Sequence, residues 1–191
     1  MRIGDYLYFA PDIRFDKVQL DSPEVVRQYQ KRIEGYYLEP ARMLASKGYG
    51  FGAVTILASA LDALARFERP LTEKNRKRYI SWTSKHVPSL TALDFARQFY
   101  DDFRCGVVHE GRAKAGCVFV PKTAYTIKVE GNLMGVNPEK FADEITQVLE
   151  DFCTRTESTP ALLQHFQDQL KADFAKELPA LTPTTTNPVG P

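Results

Sequence analysis

The sequence predicts a mostly α-helical protein that folds as a bundle of four to five helices. Apolar residues recur at helical spacing over most of residues 22–178. Three helix-start signals, in which a capping side chain precedes a proline, occur at Ser22-Pro23, Asn137-Pro138 and Thr159-Pro160. Residues 117–136 differ, because strand-forming side chains and a Gly-Asn turn signal predict a small antiparallel β-hairpin or meander there.

The composition indicates one globular domain. Of the 191 residues, 43% are hydrophobic and 26% are charged, which is enough apolar material for a sizeable core. The net charge of +1 provides no global basic field, so that nucleic-acid binding would need a local patch.

Cys105, Cys117 and Cys153 lack the spacing of metal ligands, and no metal or other cofactor is expected. No apolar run has the length of a membrane span, and we expect a cytoplasmic protein without a membrane partner.

The two ends of the chain differ from its middle. Residues 1–21 mix aromatic residues, prolines and charges, which predicts an irregular N-terminal arm with at most a short strand near residues 6–9. Residues 179–191 contain four prolines and no charge, which predicts a disordered tail. Residues 22–178 between them are expected to form a single helical domain.

The first predicted helix begins at Ser22-Pro23-Glu24 and extends to about Ser46. Its start combines a capping hydroxyl, a proline at the first helical position and a carboxylate in the first turn. Gly35 weakens this helix, and Pro40 lacks the backbone N–H that an uninterrupted helix needs. We therefore expect a kink or a split near Pro40.

The second predicted helix, residues 53–67, is apolar on nearly every side and is expected to be the central, buried one. A carboxylate in such a helix needs a partner. For Asp62 the favoured partner is Arg66, one turn along the same helix, and the alternative is Arg104 on a neighbouring helix. Four polar residues follow one another at spacings of four, three and four, and thus form one stripe: Thr55, Ser59, Asp62 and Arg66.

The third segment, residues 71–88, is a polar connection or a short helix that carries many basic residues. Tyr79 and Trp82 lie within it, and either stack nucleic-acid bases or belong to the core. Two more basic residues follow the next helix. Together with them, the basic residues of this segment indicate either a phosphate-binding rim or a solvated face without a ligand. The candidate rim residues are Lys74, Arg76, Lys77, Arg78, Arg112 and Lys114.

The next helix is predicted from about Leu90 to His109, with Gly111 placed to end it. Near its end it carries Arg104 and His109, five positions apart. An arginine can hold a phosphate and stabilise charge that builds on it, whereas a histidine can move a proton near neutral pH. This pair, the apolar helix before it and the glycine after it resemble the Arg-x4-to-6-His signature of HEPN domains.

The resemblance implies a homodimer in which two such helices pair and form a composite cleft that cuts RNA without a metal. Arg104 would bind the scissile phosphate, and His109 would act as general base or acid while the ribose 2′-hydroxyl attacks the adjacent phosphorus. The products would be a 2′,3′-cyclic phosphate and a free 5′-hydroxyl, and the pathway would be stress response or phage defence, with an unknown antidote partner. Asp62, Asp102 and Cys105 would support the pair, and Gly106 would lie at the dimer interface.

A second interpretation is a non-catalytic HEPN-like dimer that binds RNA, a nucleotide or a protein partner. The family usually has a polar residue directly after the arginine, whereas this chain has Cys105. Without a catalytic role, His109 would cap the end of the helix, and Arg104 would face solvent or form an ion pair. Cys105 itself is expected to pack as a small residue, with a nucleophilic thiolate as the less favoured alternative. A helical scaffold unrelated to HEPN domains is the third interpretation.

Overall fold

The computed structural model describes residues 2–3, 6–68, 73–106, 112, 114 and 116–175. The fold is mostly α-helical, as predicted, and carries two small β-sheets. Val107, His109 and Gly111, and the tail predicted at residues 179–191, lie outside the described residues.

The N-terminal region is more regular than the predicted arm. Its strands β1 (Arg2–Ile3), β2 (Tyr6–Ala10) and β3 (Ile13–Arg14) form an antiparallel sheet in the order β1-β2-β3. The short strand expected near residues 6–9 is therefore present as β2, and strands of two residues are too short to show an alternating pattern. The sheet is anchored by an aromatic cluster, since the rings of Phe9 and Phe15 lie 5.8 and 4.7 Å from that of Phe174.

The first long helix contains a wide turn that ends just before Pro40, whereas the sequence predicts a kink or a split near that proline. Helix α1 (Val25–Ile33) widens into a π-helical segment, Glu34–Leu38, and continues as α2 (Glu39–Ser46). In the wide turn the N–H of Glu39 donates to the carbonyl of Glu34, five residues earlier. Gly35 also has a packing role, because a Cβ at that position would lie 2.4 Å from Cγ of Pro11.

Helix α3 (Gly50–Glu68) is the central helix of the bundle, as predicted. Its apolar residues are buried against α2, against the π-helical segment Glu34–Leu38 and against three helices described below. Among the described residues it is the one helix long and apolar enough to cross a membrane, with a mean hydropathy of 1.4, and 56% of that stretch is buried inside the protein.

Helix α4 (Asn75–His86) occupies the segment for which a connection or a short helix was expected. Tyr79 and Trp82 are 0% and 1% exposed, so that, of the two alternatives left open for them, both belong to the core and do not stack bases. Both rings face inwards because they fill the space between α3 and the helix that follows, α5 (Leu93–Gln98). The chain continues from α5 into a second π-helical segment, Phe99–Arg104.

The second sheet contains β4 (Cys117–Phe119), β5 (Ile127–Glu130) and β6 (Leu133–Val136). The predicted antiparallel hairpin is formed by β5 and β6, and Gly131 in its turn has φ of +59°. Strand β4 adds a parallel pairing with β6, giving the order β4-β6-β5. The two helices predicted last are α6 (Pro138–Ser158), capped by Asn137 Oδ1, and α7 (Pro160–Asp173).

A buried carboxylate at the end of α3 ties three helices together. Glu68 accepts hydrogen bonds from Trp82 Nε1 at 2.5 Å and from Arg155 Nη2 at 2.7 Å, and its Oε2 lies 3.0 Å from His86 Nε2. Burial raises the pKa of the Glu68 carboxyl, but the hydrogen bonds from His86 and Arg155 outweigh it and lower the pKa from 4.5 to about 2.

The lowered pKa predicts how stability depends on pH. A carboxyl whose folded-state pKa is lowered contributes stability that is complete above its unfolded pKa, here 4.5, and is lost as the pH falls towards about 2. Glu68→Gln should lower the free energy of unfolding at pH 7 by about 3 kcal/mol, because charged and buried partners lose their acceptor. It should also flatten the pH dependence between pH 4.5 and about 2.

Urea unfolding as a function of pH measures both effects. Asp94→Asn is the matched control, because the Asp94 side chain is 88% exposed and pairs only at the surface with Arg97. The control should cost less than about 1 kcal/mol. A Glu68→Gln loss no larger than the control would show that the network does not stabilise the fold.

Candidate functional site

The second π-helical segment positions the arginine of the candidate signature. Phe99 and Phe103 within it are fully buried, and the N–H of Cys105 donates to the carbonyl of Tyr100, five residues earlier. The wide turn adds one residue per turn relative to an α-helix and thereby rotates the next side chains about the axis. Arg104, the last residue of the segment, faces α3.

Arg104 meets Asp62, and this contact decides between the two partners expected for that carboxylate. Arg104 Nη2 lies 2.7 Å from Asp62 Oδ2, and the two side chains are 17% and 24% exposed. The favoured pairing of Asp62 with Arg66 is wrong, because Arg66 is drawn to Asp173 at the end of α7. Burial lowers the pKa of Arg104, but the hydrogen bond and charge of Asp62 raise it further, so the side chain stays cationic.

Tyr100 is 6% exposed, and its ring lies near two guanidinium groups. The guanidinium carbon of Arg104 is 5.4 Å from the centre of its ring, and that of Arg76, from α4, is 6.0 Å away. Arg76 is itself held by both oxygens of Asp101, at 3.0 and 2.6 Å. Burial raises the pKa of the Tyr100 phenol, although the charge of Arg104 opposes the shift. The phenol is therefore protonated at neutral pH and can donate a hydrogen bond.

Cys105 and Asp102, two of the residues expected to support Arg104 and His109, have different surroundings. Cys105 is half-buried and packs against the core, as expected for a small residue. Asp102 accepts the backbone N–H of Lys114 on its main-chain carbonyl at 3.2 Å. Burial and the neighbouring Asp101 raise the pKa of the Asp102 carboxyl. A hydrogen bond from Gln98 and the charge of Lys114 lower it, but by less.

Gly106 is buried against its own chain. A Cβ at this position would lie 2.6 Å from the carbonyl oxygen of Arg112 and 3.1 Å from Cγ of Lys114. The N–H of Arg112 donates to the carbonyl of Gly106 at 3.3 Å. The small size of Gly106 thus has a use within one protomer, and its place at a dimer interface stays a prediction.

The basic rim is only partly as predicted. Arg78 is 9% exposed and lines a pocket on the other side of α4, because its position is about 200° around the helix from Arg76. Lys77 pairs with Glu73 at 3.2 Å, within its own helix end. Of the rim residues, Arg76 and Lys114 contact the segment that carries Arg104, and the backbone N–H of Arg112 contacts Gly106 just after it. The rim residues on the surface are Lys74, Arg76, Lys77, Arg112 and Lys114.

His109 lies outside the described residues, and its pairing with Arg104 stays a prediction. The role of Tyr100 was missed at the level of sequence. Its spacing of four residues from Arg104 places both on one face of an α-helix and was the signal that could have identified it. In the described ranges, no group of three His, Cys, Asp or Glu side chains is arranged to hold a metal ion.

The contact between Arg104 and Asp62 can be measured by a double-mutant cycle. Arg104→Gln, Asp62→Asn and the double variant should give a coupling energy of about 1–3 kcal/mol in urea unfolding, because removing one partner leaves a half-buried charge. The same cycle on the exposed pair Arg97 and Asp94 should give less than about 1 kcal/mol. Equal coupling energies in the two cycles would contradict a positioning role for Asp62.

The described site is a small basic surface on α4 and on the second π-helical segment, in which carboxylates hold two arginines beside one tyrosine. Comparisons of the chain with protein-family models, with curated proteins and with solved structures found no match. Its function is therefore inferred from the chemistry of these residues and from the spacing of Arg104 and His109 in the sequence.

Proposed function

We propose that the protein is a HEPN-type, metal-independent endoribonuclease that acts as a homodimer. The observation that carries the proposal is the position of Arg104. Asp62 holds its guanidinium at 2.7 Å, and His109 follows five positions later in the sequence. An arginine that is fixed before the substrate arrives loses little conformational entropy on binding a phosphate.

The surroundings of Arg104 also suit RNA. Arg76 and Arg104 both lie near the Tyr100 ring, so that two cations are available for a phosphate, whereas the ring itself is 6% exposed and is not available to stack on a base. The backbone N–H groups of Arg112 and Lys114 donate to the carbonyls of Gly106 and Asp102, which brings two more basic residues close to Arg104. Because the net charge is only +1, this local patch supplies the attraction that the chain as a whole does not.

In the proposed reaction the RNA supplies its own nucleophile. The ribose 2′-oxygen forms a bond to the adjacent phosphorus, and the bond from phosphorus to the 5′-oxygen of the next nucleotide breaks. His109 takes the proton of the 2′-hydroxyl, and the imidazolium that results gives a proton to the departing 5′-oxygen. Arg104 stabilises the negative charge that builds on the non-bridging oxygens. The products are a 2′,3′-cyclic phosphate and a 5′-hydroxyl.

A second candidate function is RNA binding without cleavage, and the observation that favours it is Cys105. The residue occupies the place of the usual polar side chain and packs against the core. It therefore contributes no hydrogen-bonding amide beside Arg104. Under this alternative Arg104 and Arg76 bind the RNA backbone in the same place, and His109 has no role in proton transfer.

Cleavage of a labelled single-stranded RNA separates the two functions. Arg104→Ala and His109→Ala should each lower the rate by at least about 10²-fold, the former through lost phosphate binding and charge stabilisation, the latter through lost proton transfer. Arg97→Ala is the matched control, since Arg97 lies on α5 and pairs only with the exposed Asp94, and it should cut at the wild-type rate. End-group analysis should find a 2′,3′-cyclic phosphate.

Two further experiments test whether the 2′-hydroxyl is the nucleophile and whether a metal takes part. A 2′-deoxy nucleotide at the cut site should block cleavage there, and excess chelator should not change the rate, because the nucleophile is the 2′-hydroxyl. Cutting that is equal in all variants would come from another site or a contaminant. A wild-type protein that binds RNA without cutting it, with binding weakened by Arg104→Ala and not by His109→Ala, would establish the alternative.

The composite cleft also predicts a dimer, which sedimentation velocity at micromolar concentration measures. Gly106→Leu is unsuited to this question, because the larger side chain would displace residues 112 and 114 of its own chain.

Complementation between two inactive variants tests the composite cleft more directly. Mixing inactive Arg104→Ala and His109→Ala proteins should restore part of the cleavage, since each mixed dimer holds one arginine and one histidine. A monomer, or mixtures that stay inactive although the subunits exchange, would contradict the composite site.

A further inference from the structure

A pocket of about 590 Å³ lies beside the candidate site, on the other side of Asp62. Its walls come from α1, the first π-helical segment, α3, the start of α4 and the end of α7. This volume is typical of sites for small molecules. Aromatic walls are provided by Tyr37, Phe67 and Phe174.

The charges that line this pocket do not balance. Arg32, Arg66 and Arg78 face two carboxylates, Asp62 and Asp173. Both carboxylates are engaged, Asp62 by Arg104 from outside the pocket and Asp173 by Arg66. Within the described part of the chain, neither Arg32 nor Arg78 has a carboxylate oxygen within 4.0 Å. The pocket thus retains two positive charges.

Arg78 is the most unusual of these side chains. It is 9% exposed, and its Nη2 donates to Asn75 Oδ1 at 2.6 Å. Its Nε is buried and has no hydrogen-bond partner, and the same is true of the Nε of Arg66. A buried cation with an unsatisfied donor and no counter-charge destabilises a folded protein, so such a group needs a compensating acceptor.

Arg32 is held against the wall of the pocket without a counter-charge. Its Nη1 donates to the backbone carbonyl of Phe9, and its guanidinium carbon lies 5.4 Å from the ring centre of Tyr36 and 5.6 Å from that of Phe174. These contacts fix the direction of the guanidinium while leaving its charge uncompensated. The pocket is therefore ordered in advance for an anion.

We propose that this pocket binds the dianionic phosphate group of a small phosphomonoester. A phosphomonoester carries a charge of about −1.5 to −2 at pH 7, which matches two uncompensated guanidinium groups. Its three oxygens can accept from several N–H groups at once, including the two unpartnered Nε donors. The aromatic walls receive the organic part of the ligand. The proposal does not depend on RNA cleavage, since the pocket and the candidate site share only Asp62.

Isothermal titration calorimetry of the full-length protein with phenyl phosphate tests the proposal. Phenyl sulfate has a similar shape but a single charge, and phenol has none. Phenyl phosphate should bind at least about 10-fold more tightly than phenyl sulfate, because each guanidinium–phosphate contact is a charge-assisted hydrogen bond, and phenol should give no binding. Phenyl sulfate that binds as tightly as phenyl phosphate, or no binding of either anion, would overturn the proposal.

Two substitutions locate the binding in this pocket by different means. Arg78→Met removes a charge and an unsatisfied donor while keeping a long side chain, and Ala63→Met fills the pocket without changing its charge. Each should weaken phenyl phosphate binding at least about 10-fold. Arg97→Met, at a surface position outside the pocket, removes a charge elsewhere and should bind as the wild type does.

The melting temperature of the ligand-free protein separates a binding role of Arg78 from a structural one. If Arg78 is retained for a ligand, Arg78→Met should leave the melting temperature unchanged or raise it, because a buried unpaired charge is removed. A lowered melting temperature with unchanged phenyl phosphate binding would falsify the proposal. If Arg78→Met does not fold, unchanged binding in Ala63→Met has the same meaning.

Discussion

The enclosure of α3 is the constraint on which the rest of the structure depends. A helix that is covered on nearly every side can carry few polar residues, and those few must find partners on other helices. Asp62 meets Arg104, Arg66 meets Asp173, and Glu68 meets α4 and α6. Three charged positions on one helix therefore fix its relation to four other parts of the bundle. The candidate site and the pocket beside it are both built on this arrangement, since each uses a polar group that α3 could not leave unpaired.

The two π-helical segments determine the direction in which the side chains around α3 point. Each inserts a wide turn into a helix that packs against α3, and each changes the direction of the side chains that follow. The first brings Tyr37 to the wall of the pocket, and the second brings Arg104 to Asp62. In both places a regular α-helix would turn the same residue away from its present contact. Wide turns of this kind are found more often at functional sites than elsewhere.

Much of the helical bundle could be predicted because its signals are local. Pro40, the apolar run of residues 53–67, the Gly131 turn and the Asn137 cap each act within a few residues of their own position. The partner of Asp62 could not be predicted in the same way. Arg66 and Arg104 are both plausible on charge, and the choice depends on Asp173, which is distant in sequence. The inward direction of Arg78 and the burial of Trp82 depend likewise on which face of α4 the other helices cover.

The aromatic cluster of Phe9, Phe15 and Phe174 joins residues from opposite ends of the described chain. During synthesis on the ribosome the N-terminal sheet emerges before α7, and although β2 can already pack on α1, its cover is incomplete until the end of α7 has also left the exit tunnel. The nascent chain therefore exposes part of the Phe9 and Phe15 rings until α7 has been made. Late contacts between distant segments are also those that slow folding most. Chaperones that recognise exposed aromatic residues would therefore bind the growing chain rather than the folded protein.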